Sequence, residues 1–476
     1  MTNIRLSFDQ GTLLIDGWDN AAIQDCFPGI PWVFDDRVGK LRTDALWYRQ
    51  VVSAISSKGM SVDNLVKRWQ AVAWSKNNLP VLREEQEQAV QLFVSQGKQG
   101  VIVMPTGTGK TVVALEIARQ LKVACLFVAP IRDLMYQWHR RISQMLNYDA
   151  GIIGDSLFNV KAVSVTTYDS ATIHANQLGN RFGLLVFDEC HHLPGRYYRE
   201  SALMSVAPYR LGLTATPQRS DGLHVDLKYL IGPTLYQLSL QAAAGSSLAE
   251  YRVARIPVKL SAKEQARYDE LSQFIQHYVF ERRKEDSTFA WKQVCTEANS
   301  DSQARMVLKA FHQKQAIENR AEEKLRILED LFRLHAGEPI LVFVGSNSMA
   351  RQVSLRFLVP CLLSHCGKRE RSDILSGFEN GTYPVIVANQ ILDEGIDLPE
   401  AKVAIVIGGS SSTRQAKQRL GRILRKSIFG GAMLYEVVLS ETNENRRYRA
   451  RRRSDAFQSK AQVNAASQKP GPENLC

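Results

Sequence analysis

Short apolar runs alternate with amphipathic stretches in two separate parts of the chain. Between about residues 80 and 240, runs at Gly100–Met104, Ala124–Ala129, Ala162–Thr167, Leu184–Asp188 and Arg210–Thr214 read as strands. Lys110–Leu121 and Asp133–Leu146, between them, carry the helical period. From about 337 to 445 the alternation returns, with strands at Ile340–Val344, Val385–Ala388, Val403–Ile407 and Met433–Leu439. Helices are expected there at Met349–Leu358, Arg369–Glu379 and Ser412–Leu424. Unbroken apolar strands separated by helices build parallel sheets covered on both faces. The fold class expected is α/β, with two such lobes.

Two other segments lack this alternation. Residues 1–78 hold five of the seven tryptophans (Trp18, Trp32, Trp47, Trp69, Trp74) and read as short strands followed by helices at Asp44–Ser57 and Val62–Ala73, a small α+β domain. Aromatic side chains there either stack on unpaired bases or fill the core of a small domain. The core reading is favoured, with Trp18 and Trp32, beside Gly17 and Pro31, expected at the surface. Ser261–His335 is polar, charged and helix-periodic, and too long for a structureless loop. It predicts a helical insertion before the second lobe. The expected organisation is therefore an N-terminal domain (1–78), a first lobe (79–245), a linker and insertion (246–335), a second lobe (336–445) and a tail (446–476).

Composition narrows the class. The 476 residues are 45% hydrophobic and 23% charged, which excludes a disordered or collagenous chain. No apolar run approaches the 18 residues of a membrane span, and MTNIRLSFDQ has no signal-like apolar region. Seven scattered cysteines with no C-x-x-C argue against a disulfide framework or a zinc ribbon and fit a reducing compartment. A soluble protein of the cytoplasm, or of the nucleoid or nucleus, is expected, without a membrane partner. Half of the net charge of +12 lies in residues 446–476, where eight Lys/Arg face two acids. Such a run either holds phosphate backbones or stays a solvated end. Beyond Ser454 the composition reads as disordered.

The chemistry begins at Met104-Pro-Thr-Gly-Thr-Gly-Lys110-Thr111, which follows a strand and opens a helix. Pro105, Thr106, Gly107, Thr108 and Gly109 form a turn whose N–H groups point at phosphate oxygens. The helix start adds its positive dipole end. Lys110 supplies a charge to the β- and γ-phosphates of ATP, and Thr111 a hydroxyl to Mg²⁺. The first motif position, usually glycine, is Met104. Val186-Phe-Asp188-Glu189-Cys190-His191-His192 ends a second strand in two carboxylates. Asp188 is suited to hold Mg²⁺, and Glu189 to orient and deprotonate the attacking water. Cys190, His191 and His192 are consecutive, so they converge poorly on one zinc ion. Coupling of the pocket to the neighbouring strand is the better reading. Arg83 and Gln86 offer a planar fork and an amide to an adenine edge.

Gln418-Arg-Leu-Gly-Arg422-Ile-Leu-Arg425 lies on a predicted helix that places Arg422 and Arg425 on one face, suited to reach a γ-phosphate. Gln418 could place water or phosphate. Upstream, Asp393-Glu-Gly395-Ile-Asp397 offers a flexible glycine and a carboxylate suited to ribose. These motifs, with Leu213-Thr-Ala-Thr-Pro217, occur in the order and spacing of superfamily 2 helicases. The resemblance spans roughly residues 80–445 and is strongest to XPB-type DNA repair helicases.

That resemblance implies two RecA-like lobes, a thumb-like insertion that grips DNA and a damage-recognition domain at the N-terminus. It also implies ATP and Mg²⁺ as cofactors, duplex or forked DNA as partner, 3′→5′ movement, and a repair nuclease or other repair proteins alongside. By motif position, nucleic-acid contacts fall to Arg132, Thr167, Arg219, Ser346 and Gln390. The family's Arg-Glu-Asp element is here Arg219-Ser220-Asp221, which puts strand separation in doubt. An RNA helicase, or an ATP-switched DNA-binding scaffold with little unwinding, stays open as an alternative.

Overall fold

The computed structural model describes residues 4–18, 23–74, 78–219, 221–243, 251–363, 366–389, 401–408, 432–442 and Glu444. The chain divides into two compact units, one up to Ser239 and one from Leu240 onward, leaving aside the segment 390–400.

The first unit opens with a five-stranded sheet in the order Val33–Asp35, Lys40–Asp44, Thr12–Asp16, Ile4–Asp9, Val62–Asn64. Only the last pairing is parallel. Asp44–Ser57 is a 3-10 turn over Ala45–Trp47 running into a helix over Tyr48–Ser57. The helix expected over Val62–Ala73 does not form. Val62–Asn64 pairs with Ile4–Asp9, and the Leu65 N–H continues that pairing to the Leu6 carbonyl at 2.8 Å. The following residues run extended along the lobe, bonding Asn180, Lys122 and Ala124 through their backbones. Non-local hydrogen bonds thus override an apolar periodicity that suits a helix.

The tryptophans build core. Trp32, expected at the surface, is buried against Phe27, and Trp18 packs on the same ring at 5.1 Å. Trp47, Trp69 and Trp74 each meet a tyrosine ring: Tyr229, Tyr48 and Tyr148.

The lobe itself is an eight-stranded sheet. Its order is Thr234–Gln237, Gln99–Val103, Tyr209–Thr214, Leu184–Asp188, Cys125–Ala129, Val163–Thr167, Gly151–Gly154, Leu157–Phe158. All neighbours are parallel except the last pair. The five expected strands form its centre. Parallel strands bring their C-terminal ends to one edge, where α/β proteins place ligands.

The second unit carries a six-stranded parallel sheet in the order Tyr251–Val258, Ala432–Leu439, Val403–Ile407, Ile340–Val344, Val385–Asn389, Cys361–Leu362. Helices Ala262–Glu285, Trp291–Glu297 and Ser302–Arg320 form the insertion, with a small core around Phe289, Val294 and Val307. Helix Glu322–Leu334, placed in the insertion by its polarity, instead packs Leu325, Leu328 and Leu331 against the sheet core. This lobe therefore starts before residue 336, the boundary drawn from sequence. The expected helix Ser412–Leu424 lies outside the described residues, as does the basic tail.

Candidate nucleotide site

The strand Gln99–Val103 leads into the glycine-rich loop, and helix Lys110–Leu121 leaves it. Gly107 and Gly109 have φ of +86° and +84°, left-handed values that a Cβ disfavours. A Cβ on Gly109 would also lie 2.3 Å from Gln86 Nε2. The cradle is braced from within. Thr108 Oγ1 donates to the Pro105 carbonyl at 2.7 Å, and Gln86 Nε2 donates to the Thr108 carbonyl at 2.8 Å. Gln86 Oε1 accepts from the Arg83 N–H at 3.0 Å. Gln86, expected to face adenine, is thus a buried strut between the loop and the start of helix Glu84–Ser95. Arg83 stands at that helix's N-cap.

Lys110 Nζ donates to the Met104 and Pro105 carbonyls at 3.1 and 3.4 Å. Thr106 Oγ1 is buried in the loop, with no hydrogen-bond partner among the described residues. A cation resting on carbonyl oxygens and an orphaned hydroxyl in a glycine-lined turn fit a phosphate chain.

Asp188, at the tip of strand Leu184–Asp188, accepts from Trp138 Nε1 at 2.9 Å and, through Oδ1, from the Glu189 N–H at 3.0 Å. Burial, with the neighbouring Glu189 carboxylate, holds the Asp188 carboxyl above its usual range. Glu189 sits at φ +46°, an uncommon conformation for a residue with a Cβ. Burial works against its charge as well. The hydrogen bond to His191 and the charge of Lys110 outweigh burial and keep it ionised. Two adjacent half-buried carboxylates within the field of Lys110 fit a divalent cation, whose charge would relieve their repulsion.

His191 is fully buried, with Nδ1 3.1 Å from Thr214 Oγ1 and 3.4 Å from Glu189 Oε2. The Thr214 carbonyl accepts from the Met104 N–H at 3.0 Å, joining this chain to the cradle. On the other side, Arg219 Nη1 donates to the His191 carbonyl at 2.6 Å. The rest of the Arg219 fork holds Asp221 at 2.9 and 2.6 Å. Arg219, expected to touch nucleic acid, is therefore turned inward as a link to the carboxylate strand. Cys190 is buried against Gly212, and burial pushes its thiol well above the usual range, away from a metal-binding thiolate.

Two residues of the site carry no motif signal. Helix Arg132–Leu146 presents Trp138 to Asp188 and, one turn on, Arg141 to Thr111 Oγ1 at 2.8 Å. Their i, i+3 spacing was visible, but what they face is set by tertiary register.

The other expected contacts scatter along sheet edges. Arg132 pairs with Asp155 at 2.6 Å. Thr167 is buried and caps helix Tyr168–Ile173, so its hydroxyl serves the helix before any ligand. Ser346 caps helix Asn347–Phe357 in the second unit. Gln390, Gly395, Asp397, Gln418, Ser220, Arg422 and Arg425 lie outside the described residues.

Comparison with known proteins places this geometry. Residues 79–219 match the "Type III restriction enzyme, res subunit" family model, and residues 323–427 the "Helicase conserved C-terminal domain". Residues 6–66 match the "Xeroderma pigmentosum group B helicase damage recognition domain". The Hef helicase domain of Pyrococcus furiosus superposes with a TM-score of 0.54 at 18% identity, covering 77% of this chain and 97% of Hef's, a likeness of fold. A nucleotide cradle on one RecA-like sheet, with a second such sheet following, defines an ATP-using superfamily 2 helicase.

The DNA 3′-5′ translocase XPB2 of Sulfurisphaera tokodaii is 38% identical over 94% of this chain and 100% of its own length. The chain belongs to the XPB family. It spans 60% of the DNA 3′-5′ helicase XPB of Kineococcus radiotolerans, at 29% identity. It spans 47% of the Arabidopsis thaliana XPB2 subunit of general transcription and DNA repair factor IIH, at 26%. Among the described residues, no helix is long and apolar enough to cross a membrane.

Proposed function

We propose that this protein is an ATP-driven 3′→5′ DNA translocase that moves on duplex or forked DNA in repair. The observation that carries the reading is the unbroken contact chain from Met104 through Thr214 and His191 to Glu189, with Arg219 attached to it. Such a chain lets the state of a phosphate pocket reach a loop outside it.

Within the pocket, the loop N–H groups and Lys110 bind the β- and γ-phosphates. Glu189, kept ionised, orients the attacking water and takes its proton. Mg²⁺, held by Thr111 and Asp188, would supply neutralisation of charge developing on the phosphates. Gln418, Arg422 and Arg425 are assigned to the γ-phosphate, and Gly395 and Asp397 to the ribose, by their match to family motifs. Ser220 in place of an acidic residue favours translocation with little strand separation.

The test is ATP turnover with single-stranded, duplex and forked DNA and with RNA, alongside strand displacement. Stimulation by DNA over RNA is expected, with turnover exceeding displacement. Equal or greater stimulation by RNA would overturn the choice of polymer.

A further inference from the structure

Glu189 carries its Cβ on a left-handed backbone, with φ +46° and ψ +52°. Such a conformation costs energy and persists where the surroundings over-determine it. It also sets where the side chain goes. Asp188, one residue earlier, meets Trp138, whereas Glu189 Oε2 lies 3.4 Å from both Thr214 Oγ1 and His191 Nδ1. Two consecutive carboxylates are thus aimed at different neighbours, and the turn at Glu189 does the aiming.

The two peptides that flank Glu189 show what fixes that turn. The one after it enters the 3-10 turn Cys190–His192, and its carbonyl accepts from the His192 N–H at 3.0 Å. The one before it is held at both polar ends. Its N–H donates to Asp188 Oδ1 at 3.0 Å, and its carbonyl, that of Asp188, accepts from the Tyr168 hydroxyl at 3.0 Å. The first bond draws on the carboxylate assigned to the divalent cation. The second does not.

Tyr168 is well placed for this contact. It opens helix Tyr168–Ile173, just past strand Val163–Thr167, and reaches over the intervening strand Cys125–Ala129 to the tip of Leu184–Asp188. It is 1% exposed. Its ring stacks on Phe187 at 6.1 Å and meets Tyr198 at 5.3 Å and His192 at 6.0 Å, which leaves the hydroxyl little freedom to point elsewhere. Turning the 188–189 peptide over would carry the Asp188 carbonyl away from the phenol and strand a buried donor, a costly exchange. The phenol therefore opposes the relaxation that the strained turn favours.

Resting on the reading of Glu189 as the base, we infer that Tyr168 is a positioning residue for ATP hydrolysis. Its hydroxyl, through the Asp188 carbonyl, holds Glu189 in the left-handed turn that aims the carboxylate. It acts through the backbone and not on the nucleotide.

The test compares the full chain with Tyr168→Phe, which removes the hydroxyl and keeps the ring. With DNA present, kcat for ATP is expected to fall about tenfold or more. KM for ATP should stay as it was, because the glycine loop and Lys110 bind the nucleotide. Unchanged affinity for a fluorescent ADP analogue reports that the variant is folded. In a crystal structure of the variant, Glu189 should have left the left-handed region. Wild-type kcat, a change in KM alone, a parallel loss of ADP affinity, or a Glu189 that keeps its positive φ would each overturn the inference. Glu189→Gln separates the two readings: near-normal turnover in that variant means that the base lies elsewhere, whatever Tyr168→Phe does.

Discussion

The Trp138 indole and the Asp188 carboxylate meet at 2.9 Å, with the indole N–H as donor. The same helix brings Arg141 to Thr111 at 2.8 Å. Both side chains assigned to the divalent cation are thus aimed from one helix face, three residues apart. Outer-shell donors of this kind orient a ligand and tune its basicity.

Trp138→Phe keeps the aromatic packing on Phe127, whose ring lies 4.9 Å away, and removes only the donor. The Asp188 carboxylate then loses an interaction that holds down its pKa, and its orientation loosens. The concentration of Mg²⁺ giving half-maximal ATP turnover should rise by about tenfold. An unchanged Mg²⁺ titration would show the indole to be packing alone.

Lys110→Ala removes the cation that now rests on the loop carbonyls. Turnover should fall by about a hundredfold or more, with DNA binding in the absence of nucleotide retained. Near-normal turnover would mean that the triphosphate lies elsewhere.

Thr214→Val cuts the contact chain at its midpoint while preserving shape. The His191 ring then loses the hydroxyl 3.1 Å from Nδ1, and the Thr216 N–H loses its acceptor. The ratio of DNA-stimulated to basal turnover should drop toward one, and Thr214→Ser should restore it. A ratio unmoved by Val would place the relay on another path.

What was legible in the sequence was what is local. The glycine loop, Lys110 and Asp188 announce themselves because their roles need fixed neighbours within eight residues. The central strands did so because a buried parallel strand must be apolar throughout. The pieces that escaped depend on distant partners. Leu157–Phe158 is two residues long and exists through pairing with Gly151–Gly154. Val62–Asn64 has a helix-compatible pattern that the neighbouring strand Ile4–Asp9 overrules. Glu322–Leu334 looked like insertion because one face is charged, yet its leucine stripe closes the second core. Gln86 and Arg219 were recognisable as site residues, but the backbone groups that claim them come from elsewhere in the fold.

Removing residues 446–476 deletes eight Lys/Arg and two acids. If these cations neutralise phosphates, the slope of log affinity against log salt should become shallower by about 0.9 for each duplex phosphate that is no longer neutralised. A slope identical to that of the full chain would make the tail a bystander.

Arg210 carries the last prediction. It is the second residue of the strand Tyr209–Thr214, and it is 2% exposed. Its guanidinium donates to four backbone carbonyls: Ser205 at 2.6 Å, Leu230 at 2.9 Å, Ala202 at 3.0 Å and Ala207 at 3.2 Å. Burial opposes the charge, and the carbonyl dipoles offset it by taking the place of water. These carbonyls lie in or just after the short helices Glu200–Leu203 and Leu227–Leu230, so one side chain ties both short helices to the sheet. Arg210→Met has comparable length but leaves the carbonyls buried without donors, at about 1–3 kcal/mol for each that cannot find another. A loss of about 3 kcal/mol or more is expected, read as a lower midpoint of thermal unfolding of the full chain. Arg210→Lys should fall between, since an ammonium offers three donors from one point rather than a fork. A Met variant as stable as the parent would show that water or a local shift supplies those carbonyls instead.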